Sequence, residues 1–151
     1  MAQADIALLK QLRNETSASI ADCRFALEET DNDYKKASEW LKKRGLEKAE
    51  KKSERETQQG LVEAYIHAGG KVGALIVLQC KTDFVARTDE FKNLAREIGM
   101  QVAAMNPESA EALLKQEYIR DSSQTIDALI KSVIGKLGEN ITLKEFKRFS
   151  I

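Results

Sequence analysis

Histidine and cysteine, which carry much of the nucleophilic and metal chemistry of proteins, are scarce in this chain. His67 is the only histidine among 151 residues, and the two cysteines, Cys23 and Cys80, lie far apart in sequence. A zinc site needs several such ligands at short spacings, and a cysteine nucleophile needs a base beside it. We therefore expect an outward-facing His67, two buried and reduced thiols, no metal or other cofactor, and no enzymatic activity.

Net charge and long apolar runs are also missing. The 24 basic and 24 acidic residues cancel, so a general attraction to nucleic acid is not expected. No apolar run approaches the roughly 20 residues that a membrane-spanning helix needs. Residues 1–5 lack the basic and apolar regions of a secretory signal. These observations predict a cytoplasmic protein that binds neither nucleic acid nor a membrane.

Apolar residues at helical spacing predict three helices within residues 1–45. Ser19 is suited to cap the second helix, because Asp22 follows it at the spacing of a capping box. The third helix is expected to begin near Asp31-Asn32-Asp33 and to end at Gly45, which follows a basic segment. We interpret residues 1–52 as a three-helix N-terminal domain.

Residues 46–58 are mostly charged and have almost no large apolar side chains. Their helix propensity favours a solvated helix, whereas the lack of an apolar face favours a linker. We place the domain boundary here, with a charged linker over residues 53–59 and a second domain over residues 60–151.

From residue 60 the apolar pattern changes to the period of a strand. Val62, Ala64 and Ile66 alternate with polar or aromatic residues and share one face. Gly69-Gly70 predicts a hairpin turn, since the other residues of a phosphate-binding loop are absent around it. The continuous apolar run Val72–Cys80 predicts a central strand that is covered on both faces.

Helical spacing returns after Thr88, a suitable N-cap, and persists to Asn106-Pro107, where a shorter helix can begin. Ser122-Ser123 is expected to open a further helix that ends at Gly138.

The final segment, Ile141–Phe149, predicts a strand. Its apolar alternation shifts between Leu143 and Phe146, so a bulge is expected there. The whole chain is thus expected to be α+β, with three N-terminal helices followed by a three-stranded antiparallel sheet packed by helices.

The segment Thr82–Phe91 lies where the predicted central strand ends and a helix begins. Phe84 follows Asp83 directly, so an aromatic ring and a charge would occupy the edge of the sheet. Two interpretations are open. The apolar pattern alone favours Phe84 in the core beneath the helix, seven residues before Phe91. The alternative is a projecting apolar tip with a charge beside it, which would insert into another protein.

The segment Cys80–Arg87 resembles the signature of the elongation factor Ts family, the guanine-nucleotide exchange factors of elongation factor Tu. The resemblance covers nearly the whole chain, because other segments agree with the family in order and kind: Leu9–Arg13, Ala21–Leu27, Lys43–Ala49 and Gly135–Ile141. This chain departs from the family pattern in the loop Thr16–Ser19, which lacks the usual glycine. It also departs in the region between Pro107 and Gly135, which is shorter than the family's middle region.

The resemblance implies a three-helix, UBA-like N-terminal domain ahead of the α+β core. It implies that residues 1–52 dock on the GTPase domain of elongation factor Tu. Phe84 would enter an apolar slot of that domain, while Asp83 would disturb the polar network beside it. Thr82 would hold the start of the tip, and Val85 would pack behind it. Mg²⁺ held by the partner would then be dislodged, and GTP would replace the released GDP.

The resemblance also implies a homodimer, because short members of the family pair two chains to supply what one long chain supplies alone. The shortened middle region leaves a second hypothesis open, in which the chain docks elongation factor Tu or another helical partner without exchanging nucleotide. A small hydrolase is a third hypothesis, which the lone histidine disfavours.

Overall fold

The computed structural model describes residues 2–52 and 56–151 of the chain. Over these residues, three helices precede the first two strands of an antiparallel sheet, and further helices with a short hairpin separate those strands from its last strand. In chain order the elements are α1 (Ile6–Thr16), α2 (Ile20–Glu29), α3 (Tyr34–Lys52), β1 (Gln59–Ile66), β2 (Val72–Cys80), α4 (Asp83–Ala86), α5 (Asp89–Met105), α6 (Ala110–Lys115), β3 (Glu117–Tyr118), β4 (Asp121–Thr125), α7 (Ile126–Leu137) and β5 (Ile141–Ser150).

The main sheet has the strand order β1-β2-β5, and both pairings are antiparallel. The predicted hairpin turn joins β1 to β2, where His67 donates its backbone N–H to the carbonyl of Val72 at 2.9 Å. Gly69 and Gly70 adopt φ values of 92° and 72°, which other residues rarely adopt. The α+β class, the three-stranded antiparallel sheet and the central position of β2 are confirmed.

The bulge predicted in the last strand is present. Val77 pairs with Glu145, but the next residue of β2, Leu78, pairs with Leu143. Lys144 is therefore the extra residue, and it places Phe146 on the same inward face as Leu143.

Helix α5 packs against β1 and β2 and covers one face of the sheet. Its buried residues Phe91 and Ile98 join Ile76 and Leu78 of the central strand in one apolar core. The opposite face is not covered among the described residues, and Leu75 on β2 is 43% exposed. The prediction that this strand is buried on both faces is therefore wrong, because all of the packing helices contribute to one side.

The helices α1, α2 and α3 enclose a second apolar cluster, which includes Leu12 and Leu27. The predicted cap of α2 is confirmed, since Ser19 accepts the backbone N–H of Asp22 at 3.1 Å and donates its hydroxyl to the carboxylate of Asp22 at 2.7 Å. These interactions satisfy polar groups at the start of the helix.

The prediction that the third helix ends at Gly45 is wrong, because α3 continues to Lys52. Gly45 lies against α7, where a Cβ placed on Gly135 would be 3.4 Å from the Cα of Gly45. One turn further along, Ala49 is buried in the core that contains the sheet. This packing holds the helix where its charged sequence indicated a linker. Residues 53–55 of that linker lie outside the described residues, and the division into domains stays a prediction.

A short hairpin precedes α7, where the sequence predicted that Ser122-Ser123 opens a helix. Both serines lie in β4, which pairs with β3, and the helix begins at Ile126 with Thr125 as its N-cap. The buried side chain of Gln101 accepts the backbone N–H of Ile119 and donates to the carbonyl of Glu117, each at 3.0 Å. The predicted helix start is wrong because β4 pairs with β3, whose residue Glu117 is held by Gln101 of α5.

Across the described ranges, no helix combines the length and the apolar character needed to cross a membrane.

Candidate partner-binding site

The central strand β2 leads directly into an exposed one-turn helix. Thr82 lies just beyond the strand and caps α4, because its hydroxyl oxygen accepts the backbone N–H of Val85 at 3.3 Å. Phe84 is the second residue of this helix, and its side chain is 82% exposed. We refer to Thr82–Ala86 as the tip.

The buried side of the tip consists of Val85 and Ala86, which join the core beneath the sheet. A helix turns by roughly 100° per residue, so burial of Val85 directs the preceding side chain away from the core. The interpretation that places Phe84 in the core is therefore wrong. Phe91 fills the core position instead and is completely buried.

Thr88 stabilises the C-terminal end of the tip. Thr88 caps α5 by accepting the backbone N–H of Phe91 at 3.3 Å, and its hydroxyl donates to the carbonyl of Val85 at 2.8 Å. The same side chain thus connects the end of the tip to the start of the long helix.

Asp83 lies beside Phe84 on the exposed side of the tip. Its carboxylate forms an ion pair with Arg87 at 2.6 Å, one helical turn away. Both side chains are more than half exposed. Exposed pairs of this kind contribute only about 0.2–1 kcal/mol, so a partner can displace Arg87 at small cost.

Cys80, the last residue of β2, stabilises the start of the tip. The thiol of Cys80 donates to the backbone carbonyl of Thr82 at 3.1 Å. Burial raises the pKa of this thiol, with the charge of Glu139 acting in the same direction, so the thiol keeps the proton that it donates. Both cysteines are buried and free, as predicted from their spacing. Glu139, which also contacts Thr82, was not singled out from the sequence.

The described residues contain no group of three or more histidine, cysteine, aspartate or glutamate side chains arranged to hold a metal ion. His67 is exposed near the hairpin turn, and its Nδ1 lies 3.2 Å from the hydroxyl of Tyr65. The arrangement around the tip offers an aromatic ring, a carboxylate and a guanidinium to another molecule, which suits binding of a protein surface.

Comparison with known proteins identifies the family. The sequence model described as Elongation factor TS matches residues 81–151, a range that contains the whole tip. The chain is 40% identical to the elongation factor Ts of Coprothermobacter proteolyticus over 95% of this chain and 96% of that protein. The chain belongs to the elongation factor Ts family.

Other members of the elongation factor Ts family differ from this chain in length. The protein from Nostoc sp. is 46% identical over the whole chain, which spans 48% of that relative. The protein from Rippkaea orientalis is 39% identical over 99% of this chain and 78% of the relative. The alignments with the Rippkaea and Coprothermobacter proteins, 195 and 189 positions long, exceed the 151 residues of this chain. Those relatives therefore contain segments that this compact member lacks.

Proposed function

We propose that this chain is a guanine-nucleotide exchange factor for elongation factor Tu, and that the tip carries the activity during translation elongation in the cytoplasm. The observation that carries the proposal is the 82% exposure of Phe84 on a segment whose neighbours Val85 and Ala86 are buried. Membership of the elongation factor Ts family supports the choice of partner. The exchange requires no covalent step by this chain, so it needs neither a nucleophile nor a cofactor here.

In this proposal Phe84 inserts into an apolar slot of the GTPase domain. A ring that is exposed in the free chain gains burial only when the partner covers it, so its apolar area contributes to binding rather than to folding. Aromatic anchors that fill a pocket typically contribute about 2 kcal/mol or more to a complex. The ring is also presented on an ordered segment, because Thr82 before it and Val85 after it are held by hydrogen bonds.

Asp83 then acts on the polar network next to that slot. Its exposed ion pair with Arg87, at 2.6 Å, is exchanged for contacts to the partner. A carboxylate introduced beside the groups that coordinate the partner's Mg²⁺ competes for their hydrogen bonds and weakens their hold on the ion. Loss of Mg²⁺ removes the charge that stabilises the GDP phosphates, and the nucleotide is released.

The physical basis of exchange is a coupling between two binding sites. Whatever factor this chain imposes on GDP affinity, GDP imposes on the affinity of this chain. The chain must therefore bind nucleotide-free elongation factor Tu tightly and the GDP complex weakly. GTP completes the cycle by rebinding and expelling the chain.

The N-terminal helices, which we propose as a UBA-like domain, supply a second contact. Phe25 on α2 is 48% exposed and packs against the ring of Trp40 on α3, with centroids 5.3 Å apart. Arg44 lies over the same Trp40 ring at 5.3 Å. A partly exposed aromatic pair with a cation beside it has the composition of an interface centre, so this surface is the proposed dock for the GTPase domain.

We also propose that two copies of the chain pair through the open face of the sheet. Val62 and Ile66 on β1 are each 65% exposed on that face, and Phe149 on β5 is 58% exposed. A sheet face of this composition is suited to pack against a second copy of itself, as in a two-layer sandwich. Elongation factor Ts relatives with longer chains have segments that this chain lacks, and a second copy would supply equivalent surface.

The decisive experiment measures release of a fluorescent GDP analogue from elongation factor Tu with and without the chain. Wild-type chain should accelerate release in a dose-dependent manner. Phe84→Ala should need about 30-fold more chain for the same acceleration, which corresponds to the loss of a 2 kcal/mol anchor. Its thermal melting should match that of the wild type, because the side chain is exposed.

Two control variants separate the tip from general effects. Met105→Ala truncates another exposed apolar side chain, 49% exposed on α5, and should leave exchange unchanged. Phe91→Ala removes a fully buried ring and should cost about 3–5 kcal/mol of stability. If the wild-type chain binds elongation factor Tu but the GDP release rate does not change, the chain is a non-exchanging binding module and the proposal is wrong.

Pairing of two copies is tested separately by sedimentation over a range of concentrations. The wild type should approach the dimer mass, and Val62→Lys should shift it to the monomer mass. Glu108→Lys introduces the same side chain at an exposed position outside the sheet and should not shift it. A monomer mass for the wild type at every concentration would contradict the dimer.

A further inference from the structure

Glu139 contacts the start of the tip with both oxygens of its carboxylate. Oε1 accepts the backbone N–H of Thr82 at 2.9 Å, and Oε2 accepts the Thr82 hydroxyl at 2.7 Å. The two residues are 57 positions apart in sequence. Hydrogen bonds to an ionised acceptor are among the stronger ones in proteins, and two of them on one residue also fix its orientation.

The position of Glu139 follows from the register of the sheet. Cys80 and Ile141 form the last pair between β2 and β5. Thr82 and Glu139 are each two residues further out, so they continue the same register beyond the last backbone pair. The chain before β5 comes from the end of α7 at Gly138, and the carboxylate replaces the backbone carbonyl that a longer strand would have supplied.

The contact also sets the direction of the Thr82 hydroxyl. Because its hydrogen points to Glu139, the lone pairs of Oγ1 are free to accept the N–H of Val85 at 3.3 Å. Cys80 donates to the carbonyl of the same threonine. The backbone N–H, the backbone carbonyl and the hydroxyl of Thr82 are therefore all hydrogen-bonded. Phe84 lies only two residues further along the chain.

We infer that Glu139 is a positioning residue for the exchange reaction, which holds the tip in its binding conformation before the partner arrives. The inference rests on the proposed exchange function and adds a residue to it that does not touch the partner. A loop that is ordered in advance loses less conformational entropy on binding, and affinity rises accordingly. Removal of the contact should weaken the action of Phe84 although Phe84 itself is unchanged.

The test compares Glu139→Ala with Glu139→Gln in stimulated GDP release. Alanine removes both acceptors, and the concentration that gives half-maximal stimulation should rise by about 10-fold, the scale of ordering one or two side chains. Glutamine can accept the Thr82 N–H and donate to the hydroxyl oxygen, so it should stay within about 3-fold of the wild type. The maximal release rate at saturating chain should change little in either variant. Glu108→Ala, at an exposed position away from the tip, serves as the matched control.

An NMR experiment reports on the conformation of the tip in the absence of elongation factor Tu. In the wild type the amide of Thr82 should resonate downfield and exchange slowly with solvent, and in Glu139→Ala both properties should be lost. If the wild type does not stimulate GDP release at all, the exchange function fails, while the NMR experiment still decides whether Glu139 holds Thr82. If release is stimulated and Glu139→Ala behaves as the wild type although its Thr82 amide is loosened, the positioning role is overturned.

A second variant covers the case in which Glu139→Ala is poorly folded. Thr82→Val removes only the hydroxyl and keeps the backbone contact to Oε1. We then introduce Glu139→Gln both into the wild type and into Thr82→Val. The change in the concentration for half-maximal stimulation should differ between the two, since Glu139 and Thr82 act as one unit. If the effects of the two substitutions on half-maximal stimulation are additive, Glu139 acts on stability alone. The same conclusion follows if the loss of stimulation in Glu139→Ala parallels a fall in its melting temperature and Glu139→Gln does not restore stimulation.

Discussion

Gly135 of α7 packs directly against the backbone of Gly45 on α3 where the two helices cross. A Cβ placed on Gly135 would lie 3.4 Å from the Cα of Gly45 and 3.5 Å from its carbonyl oxygen. α7 approaches the backbone of α3 this closely because Gly135 has no side chain at the contact. The crossing connects the N-terminal helices to the helix that leads into Glu139 and β5.

Substitutions at Gly135 should therefore depend on size rather than on helix propensity. Alanine places its methyl group at ordinary contact distance. It should therefore raise the free energy of unfolding by at most about 1 kcal/mol. Valine is also a better helix former than glycine, but its additional methyl groups meet the backbone of Gly45 and should cost about 1–3 kcal/mol. Urea unfolding of both variants measures the difference. If valine is as stable as alanine, the crossing is looser than the structure indicates.

Gly60 is expected to be intolerant of any side chain. A Cβ there would lie 2.1 Å from the carbonyl oxygen of Leu78 and 2.8 Å from the Cα of Gln79 on the neighbouring strand. Both obstacles are backbone atoms, so Gly60→Ala should lower the free energy of unfolding by at least about 3 kcal/mol. Gly45→Ala is the matched control, because nothing lies within 4 Å of its Cβ position and the change should stabilise α3 by about 1 kcal/mol. Equal effects at the two glycines would contradict this prediction.

Asp22 should make stability depend on pH in the acid range. Its pKa is held below the ordinary value of 3.8 by a hydrogen bond from Lys48 at 2.8 Å and by the hydroxyl of Ser19, with a smaller effect from the charge of Arg44. A carboxylate whose pKa is lower in the folded state stabilises the fold fully above its unfolded pKa, and this contribution is lost as the pH falls through the folded pKa.

The comparison of wild type with Asp22→Asn isolates this contribution. The side chain is 21% exposed, and its charged hydrogen bonds should make the wild type about 1–2 kcal/mol more stable at neutral pH. The difference should persist down to about pH 4 and shrink below it. Urea unfolding of both proteins across this range is the measurement. A difference that is constant with pH would show that the loss is steric rather than electrostatic.

Tyr118 should ionise late in an alkaline titration. Burial, together with a hydrogen bond to Glu97, raises its pKa from 10.0 to about 12. Because the neutral form is favoured in the folded state, this tyrosine stabilises the fold at pH values below 10, and the contribution is lost as the pH rises toward 12. The phenolate absorbance of wild type minus that of Tyr118→Phe should have its midpoint near 12. A midpoint near 10 would contradict the buried contact to Glu97.

Local patterns predicted the elements that local interactions determine. The stripe on α5, the Gly69-Gly70 turn and the cap formed by Ser19 and Asp22 depend on residues close in sequence, and the structure contains all of them. The bulge opposite Val77 and Leu78 was also visible, because a change of alternation within one strand has a direct structural meaning.

The errors come from contacts between segments that are distant in sequence. Gly45 is a helix stop in isolation, but the close approach of Gly135 and the burial of Ala49 keep α3 helical past it. The two-residue strand β3 is too short to show a period. Its position depends on the side chain of Gln101, which donates to the carbonyl of Glu117, and β4 pairs with this strand.

The candidate site was predicted as a segment but not as an arrangement. The sequence marked Thr82–Val85 by resemblance, whereas its apolar pattern placed Phe84 in the core. Exposure of Phe84 depends on which side of a one-turn helix meets the core, and Val85 and Ala86 decide that. Glu139 was marked only as one residue of the family-like segment Gly135–Ile141, because its relation to Thr82 exists only once β2 and β5 are in register.

The attachment of the tip has a mechanical consequence. β2 is hydrogen-bonded on both sides along its length and ends at Cys80, and Thr82, two residues later, is held by Cys80 and by Glu139, so the tip is fixed to the sheet. When a segment that is held in this way contacts a more deformable partner, the partner is the molecule that changes conformation. In the proposed complex the strain of contact would therefore fall on the nucleotide site of elongation factor Tu, while this chain keeps its shape from one cycle to the next.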